Sequence, residues 1–110
     1  MEYVIHPNTG PREGSPHVEG RDHDAGLSII LVDAEPGKGP RLHRHDYEEV
    51  FVVHAGTVSF RVGDAQLDAH PGDVVVAPAG TPHGFVNSGD ERLRMTAIHH
   101  SPEFVTEWLE

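Results

Sequence analysis

Four residues in the sequence could hold a metal ion between them. They are His43, His45, Glu49 and His83. Imidazole nitrogen and carboxylate oxygen suit divalent ions of the first transition row, and no cysteine is present to supply sulfur. The first three residues share one parity, so on a continuous strand their side chains would project to the same face. His83 lies in a separate segment, and closure of a barrel would bring it to the other three.

A helix would also place two of these side chains together. His45 and Glu49 are four residues apart, and positions i and i+4 share a helical face. Pro40 upstream and the sequence VFVV downstream favour a strand, because proline disrupts helices and β-branched residues are enriched in sheets. On that strand Tyr47 would also point into the interior, beside the candidate ligands.

The elements that must position these residues are short strands. From Leu27 onward, apolar runs alternate with turn-forming residues, which predicts an all-β sandwich or barrel. The runs are LSIILV, EEVFVV, TVSFRV, AQLDA, DVVVAP, HGFV and LRMTAI. Between two of them, Gly63 and Asp64 predict a tight two-residue hairpin, because glycine accepts the positive φ of its first central position.

The two ends of the chain have different patterns. Residues 1–24 are rich in proline, glycine and charge, which predicts an irregular N-terminal arm before a barrel over residues 27–100. Ser101 and Pro102 fit the N-cap and first position of a short C-terminal helix over residues 102–109. Its apolar side would consist of Phe104, Val105, Trp108 and Leu109.

The composition limits the partners of the protein. A chain of 110 residues predicts one domain, residues 1–110. Eight basic and eighteen acidic residues give a net charge of −10, which repels phosphate backbones and anionic lipids, so we expect neither nucleic acid nor membrane as a partner. The sequence has neither a signal-peptide pattern nor an apolar stretch of roughly 20 residues, and we expect a soluble, cytoplasmic protein.

Two spacing patterns around the candidate ligands resemble the signature motifs of the cupin superfamily. The first is Gly37-(five)-His43-Arg44-His45-(three)-Glu49-(six)-Gly56. The second is Gly72-(five)-Pro78-Ala79-Gly80-(two)-His83-(three)-Asn87. Both match at every fixed position, which is far more specific than a lone His-x-His pair. The 15 residues between them are similar in number to the spacing in small bacterial members.

The resemblance implies a double-stranded β-helix, also called a jelly-roll barrel. It implies that His43, His45, Glu49 and His83 bind one divalent transition metal ion, and that the other motif residues shape turns around the site. Iron, manganese, nickel, copper and zinc all accept this ligand set, so the residues do not identify the ion. An octahedral ion bound in this way keeps two positions open for substrate, water or dioxygen.

Two functions fit these residues. The first is a metal-dependent enzyme that acts on a small oxygenated molecule, as a dioxygenase, isomerase or cyclase, with Tyr47 as a candidate proton-transfer residue. The alternative is a binding module that senses or carries a small molecule or the metal without turnover. One barrel hosts many functions, so the expected fold does not separate the two.

Other residues have more ordinary interpretations beside a functional one. Phe51 and Phe85 could contact a substrate or fill the core, and Arg41 could hold a carboxylate at the barrel mouth or lie in solvent.

By analogy with small cupins we expect a homodimer, with Val50, Val52, the N-terminal arm and the C-terminal helix as interface candidates. The remaining histidines are expected on the surface or in an interface: His6, His17, His23, His54, His70, His99 and His100.

Overall fold

The structure is a computed structural model that describes residues 3–9 and 15–110. In these residues the chain forms ten strands and one short 3₁₀ helix, Gly20–His23. The strands are β1 His17–Val18, β2 Ser28–Ala34, β3 His43–Arg44, β4 Glu49–Ala55, β5 Val58–Val62, β6 Ala65–Ala69, β7 Val74–Ala77, β8 His83–Asn87, β9 Leu93–His99 and β10 Glu107–Trp108.

The strands form two antiparallel sheets that pack face to face as a jelly-roll barrel, which confirms the predicted all-β fold. Sheet I has the order β1-β2-β9-β4-β7, and sheet II has the order β10-β3-β8-β5-β6. Inward side chains alternate with outward ones along the strands, as a half-buried sheet requires. The apolar core between the sheets consists of Val32, Phe51, Val53, Val58, Phe60, Ala69, Val75, Ala77, Leu93, Met95 and Ala97.

The segment with three of the candidate ligands is not one continuous strand. His43 lies on β3 in sheet II, whereas Glu49 begins β4 in sheet I, and a bend at Asp46 and Tyr47 connects the two. The ligands still face one interior, because the chain crosses from one sheet to the other around that interior. The helical alternative for His45 and Glu49 is wrong.

The turns follow the glycines. Val62 pairs with Ala65, and Gly63 has a φ of 59°, so the predicted two-residue hairpin is confirmed. Glycine is required at Gly56 for two reasons: its φ is 89°, and a Cβ there would lie 2.8 Å from the carbonyl oxygen of Arg92. The other motif glycines with positive φ are Gly37, Gly72 and Gly80.

The predicted C-terminal helix is wrong. Ser101–Glu103 form bends, and β10 then pairs with β3, placing Trp108 opposite His43 and Glu107 opposite Arg44. Extended pairing satisfies the backbone of an otherwise open sheet edge, which a helix there would leave unpaired. No helix among the described residues is long and apolar enough to cross a membrane.

The N-terminal arm is partly ordered, which corrects the prediction of an irregular segment. His17 and Val18 form β1 on the edge of sheet I, and Asn8 makes an isolated bridge to His17. Residues 1–2 and 10–14 of the predicted arm lie outside the described residues. Edge pairing with β2 orders this segment although its own sequence has no apolar periodicity.

Gly39 lets the loop before β3 lie directly on β8. A Cβ at Gly39 would lie 1.9 Å from the carbonyl oxygen of Phe85, and Asn87 donates its N–H to the carbonyl of Lys38 at 2.8 Å. We expect Gly39→Ala to lower the free energy of unfolding by about 1–3 kcal/mol, because the backbone must move to fit a methyl group. Urea denaturation measures this change.

Gly26→Ala is the matched control for Gly39→Ala. A Cβ at Gly26 meets no atom within 4 Å, and its φ lies outside the left-handed region. We expect its unfolding midpoint to stay near or slightly above that of the wild type. Equal midpoints for the two variants would contradict the close packing of the loop on β8.

Candidate metal centre

The four candidate ligands meet in the interior of the barrel. The ligand atoms of His43, His45, Glu49 and His83 all lie within 4.8 Å of one another. All four residues are buried, with exposed fractions between 2% and 7%. His43 and His83 face each other across the β3–β8 pair of sheet II, and Glu49 reaches them from sheet I. The contact expected from barrel closure is therefore present.

The backbone fixes which nitrogen of each ring faces the centre. His43, His45 and His83 each donate Nδ1–H to a backbone carbonyl, because a carbonyl oxygen can only accept. The acceptors are Arg41, Val105 and Thr81, at 2.7, 2.8 and 2.9 Å respectively. Neutral rings held in this way direct the Nε2 lone pair inward, as in metal sites whose histidines are oriented by an outer hydrogen bond.

The donor set fits a cation. The Oε1 atom of Glu49 lies 3.0 Å from Nε2 of His45 and 3.1 Å from Nε2 of His83. When the protons of His45 and His83 are on Nδ1, each ring turns the lone pair of its Nε2 atom toward the negatively charged oxygen of Glu49. Either extra protons or a positive ion must relieve that repulsion, so the residues fit one divalent metal ion.

Burial and the carboxylate charge shift the pKa values of the site. Burial raises the pKa of Glu49, but its contacts with the Nε2 atoms of His45, His83 and His99 outweigh this effect and hold the pKa well below its usual range. Burial lowers the pKa of His83, but the hydrogen bond to Glu49 and the Thr81 carbonyl raise it above its usual value. Burial also lowers the pKa of His43, to about 4.

His99 is a site residue that was expected on the surface. It is 3% exposed, and its Nε2 lies 3.0 Å from Oε2 of Glu49. Its Nδ1 lies 2.7 Å from the hydroxyl of Tyr47, which the sequence placed beside the ligands. The alternation of Leu93, Met95 and Ala97 along the last strand gave a usable signal, because His99 continues the same inward parity.

A cleft of about 1190 Å³ leads from the ligands to solvent, and it changes the interpretation of other residues. His17 was expected in solvent, but it is only 9% exposed, lines the cleft and packs against Phe104. Phe85 also lines the cleft, whereas Phe51 belongs to the core. The histidines found exposed as expected are His6, His23, His54, His70 and His100.

Trp108 and Arg41 lie beside the ligands at the mouth of the cleft. The Trp108 ring packs 5.0 Å from the ring of His43, and the guanidinium of Arg41 lies 5.3 Å from the Trp108 ring. The latter distance is within the range of a cation–π contact. The C-terminal strand thus contributes a wall of the site.

Comparison with known proteins assigns the family. Residues 30–99 match the family model described as Cupin domain. This match covers more than half of the chain, so the protein belongs to the cupin family. No curated protein matches the sequence.

Solved structures share the fold at low sequence identity. Oxalate decarboxylase from Lactobacillus farciminis has a TM-score of 0.81 and 22% identity, over 94% of this chain and 33% of that chain. An oxalate oxidase has a TM-score of 0.76 and 19% identity, over 99% of this chain and 62% of that chain. An uncharacterized conserved protein from Klebsiella pneumoniae has a TM-score of 0.73 and 19% identity, over 94% of this chain and 84% of that chain. The chain therefore spans less than two thirds of both oxalate enzymes.

We expect the affinity for a divalent metal to rise with pH and then level off above the pKa of His83. Protonation removes the Nε2 lone pair that a metal needs, and the raised pKa of His83 extends this competition above its ordinary range. Below that pKa, one competing proton changes the affinity about tenfold per pH unit. His43 adds no competition near neutrality, because its pKa is about 4.

Competition of the protein with a chromophoric chelator for Zn²⁺, from roughly pH 6 to pH 9, measures this dependence. His100→Gln is the control, because His100 is exposed and lies outside the ligand cluster. An affinity that stays constant over this range would contradict the proton competition at His83.

Proposed function

We propose that the protein is a metal-dependent enzyme that acts on a small oxygenated molecule, as a dioxygenase, isomerase or cyclase. The observation that carries this proposal is the convergence of one carboxylate and three imidazoles anchored through Nδ1, whose ligand atoms lie within 4.8 Å of one another beside an open cleft. Three of the four residues, His43, His45 and Glu49, line that cleft. A purely structural cluster would not need a cleft of this size beside it. Location in the cytoplasm stays a prediction.

His43, His45, Glu49 and His83 would hold the ion. A bound divalent metal would supply Lewis-acid or redox chemistry at coordination positions that the protein leaves open. The residues of the chain contribute the rest: backbone carbonyls orient the three imidazoles, and Arg41 and Trp108 lie beside them at the mouth of the cleft. The Tyr47 hydroxyl, 2.7 Å from His99, stays a predicted proton-transfer group.

Two of the basic side chains that line the cleft could bind an anionic substrate. Lys38 and Arg41 both line the cleft, and neither has a carboxylate within 4.0 Å among the described residues. An arginine in this state can bind a carboxylate with two hydrogen bonds. Structures with the same fold include oxalate oxidase with glycolate and oxalate decarboxylase with formate. Small carboxylates are therefore the first substrates to test.

Metal content tests the site directly. We expect about one equivalent of a first-row divalent metal per chain in the wild type and loss of most of it in His83→Ala, which removes one of four ligands. Inductively coupled plasma mass spectrometry on untagged protein measures both. His70→Ala is the control, since His70 is exposed and outside the cluster. Absence of metal even after reconstitution would contradict the proposal.

The alternative function is a binding module without turnover. The metal-loaded protein would then bind a small carboxylate, seen by calorimetry, while dioxygen uptake and substrate loss stay at the level of His83→Ala. Turnover that is lost with the metal and restored by adding it back supports the enzyme. The two functions share one site, so the same samples serve both measurements.

We also propose a homodimer that uses the outer face of sheet I. Two rows of side chains cross four strands of this face in register. The rows are Ile29, Ile98, Val50 and Val76, and Leu31, Thr96, Val52 and Val74. A flat apolar face four strands wide suits packing against a second copy, and exposed patches of this kind mark interfaces. Of the other interface candidates, Trp108 of the C-terminal segment lies instead beside the candidate ligand His43.

Charges at the ends of this face suit a two-fold axis. Glu48 precedes β4, and Arg94 pairs with Ala55 at the other end of β4. An axis in the plane of the interface and perpendicular to the strands would place Arg94 beside the partner subunit's Glu48. Opposite charges at the rim favour this arrangement over one that brings like charges together.

Val76→Lys tests the dimer. Val76 is 50% exposed in the single chain, so we expect the variant to fold and to become monomeric, because a charge cannot stay buried without a partner. Light scattering at micromolar concentration measures the mass. Val86→Lys is the control, since Val86 is 38% exposed on the outer face of sheet II. A monomeric wild type, or a dimer in both variants, would contradict this interface.

A further inference from the structure

The two oxygens of the Glu49 carboxylate have different surroundings. Oε1 faces the ligand cluster, at 3.0 Å from Nε2 of His45 and 3.1 Å from Nε2 of His83. Oε2 faces away from these two rings and lies 3.0 Å from Nε2 of His99. His99 is not a member of the ligand cluster, whose atoms all lie within 4.8 Å of one another. One oxygen is thus available to a metal and the other contacts a separate histidine.

His99 requires the opposite tautomer to the three ligand histidines. A carboxylate oxygen only accepts, so a neutral His99 must carry its proton on Nε2 to bind Oε2. Its Nδ1 then accepts a hydrogen bond from the Tyr47 hydroxyl at 2.7 Å. That hydroxyl oxygen in turn accepts the backbone N–H of Val105 at 3.3 Å. A single proton arrangement satisfies this whole series of groups.

The rings in this series are held by packing. Tyr47 stacks on His45, with ring centroids 4.7 Å apart and an angle of 10° between the planes. The edge of Phe104 packs against His99, with centroids 4.9 Å apart. His99 has an exposed fraction of 3%. Because both rings are confined, the Tyr47 hydroxyl and His99 Nε2 have little freedom to seek other partners.

His99 Nε2 is the buried polar side-chain atom without a well-aligned hydrogen bond among the described residues. Its distance to Oε2 of Glu49 is 3.0 Å, which is short enough for a hydrogen bond, so it is the angle of the contact that is unfavourable. A nitrogen this well buried beside a carboxylate needs that bond, because a buried donor left without a partner loses its hydrogen bond to water without replacement.

We propose that Tyr47 and His99 are positioning residues for the Glu49 ligand. His99 binds Oε2, so that only Oε1 faces the metal and the carboxylate binds through one oxygen; Tyr47 acts by fixing the tautomer and direction of His99. A carboxylate held in this way occupies one coordination position and leaves the others to substrate. This inference rests on the proposed metal function and adds two residues that the cupin motifs in the sequence do not contain.

Binding of Co²⁺ to the purified protein tests the proposal. We expect Tyr47→Phe and His99→Gln each to weaken Co²⁺ binding about 10- to 100-fold, the usual effect of losing a group that orients a ligand. Because Tyr47 acts through His99, the double variant should bind Co²⁺ no more weakly than His99→Gln alone. His100→Gln is the matched control: His100 is the next residue and contacts the exposed Glu48 instead of Glu49.

The visible absorption of bound Co²⁺ gives a second readout that a general loss of stability would not change. We expect altered bands in Tyr47→Phe and His99→Gln, because Glu49 is free to bind through both oxygens, and unchanged bands in His100→Gln. Circular dichroism of the metal-free proteins establishes that they fold. If His99→Gln fails to fold, Tyr47→Phe still decides the question, since it removes one hydroxyl and keeps the stacked ring.

Several results would overturn the proposal. Wild-type affinity and bands in Tyr47→Phe, with turnover lost, would make Tyr47 a proton-transfer group and not a positioning residue. If the double variant lost as much Co²⁺ binding free energy as the two single variants together, Tyr47 would act independently of His99. Wild-type Co²⁺ binding with no change in either variant would reject the positioning role and leave the metal function intact. Failure of the wild type to bind Co²⁺ would reject both.

Discussion

The buried carboxylate of Glu49 is the constraint on which the structure of the site depends. It is 3% exposed and lies between the two sheets. A carboxylate in such a place is costly unless positive charge and hydrogen bonds compensate it. The compensation comes from His45, His83 and His99. His99 belongs to sheet I, His83 belongs to sheet II, and His45 lies just before the bend that connects β3 to β4. The sheets must therefore pack together before the charge is compensated.

Three backbone carbonyls orient the histidines of the cluster so that their Nε2 atoms could bind a metal. They come from the segments before β3, before β8 and before β10, and each accepts the Nδ1 proton of one ring. Without these acceptors the rings could turn and bind Glu49 through either nitrogen. The C-terminal strand has a part in this arrangement, because the carbonyl of Val105 anchors His45. A terminal segment with few buried residues thus contributes directly to the ligand geometry.

The cupin fold sets the position of the metal site but not what the protein does with it. The motif residues place four ligand atoms within 4.8 Å of one another at the inner end of the cleft. Residues outside the motifs then decide which molecules enter and how the ligands are held. In this chain they include Arg41 and Trp108 at the mouth and His99 behind Glu49.

The sequence by itself determined the seven longer strands, β2 and β4 to β9, the hairpin at Gly63 and the four candidate ligands, because alternation, positive-φ glycines and motif spacing are local properties. It did not determine the split of the ligand segment between two sheets. It also did not determine the extended C-terminus, because sheet pairing with β3 overrides the local preference of Ser101 and Pro102 for a helix. Only the tertiary structure decided that His17 is buried and that His99 meets Tyr47 and Glu49. Their surroundings come from segments distant in the chain, and burial depends on those contacts.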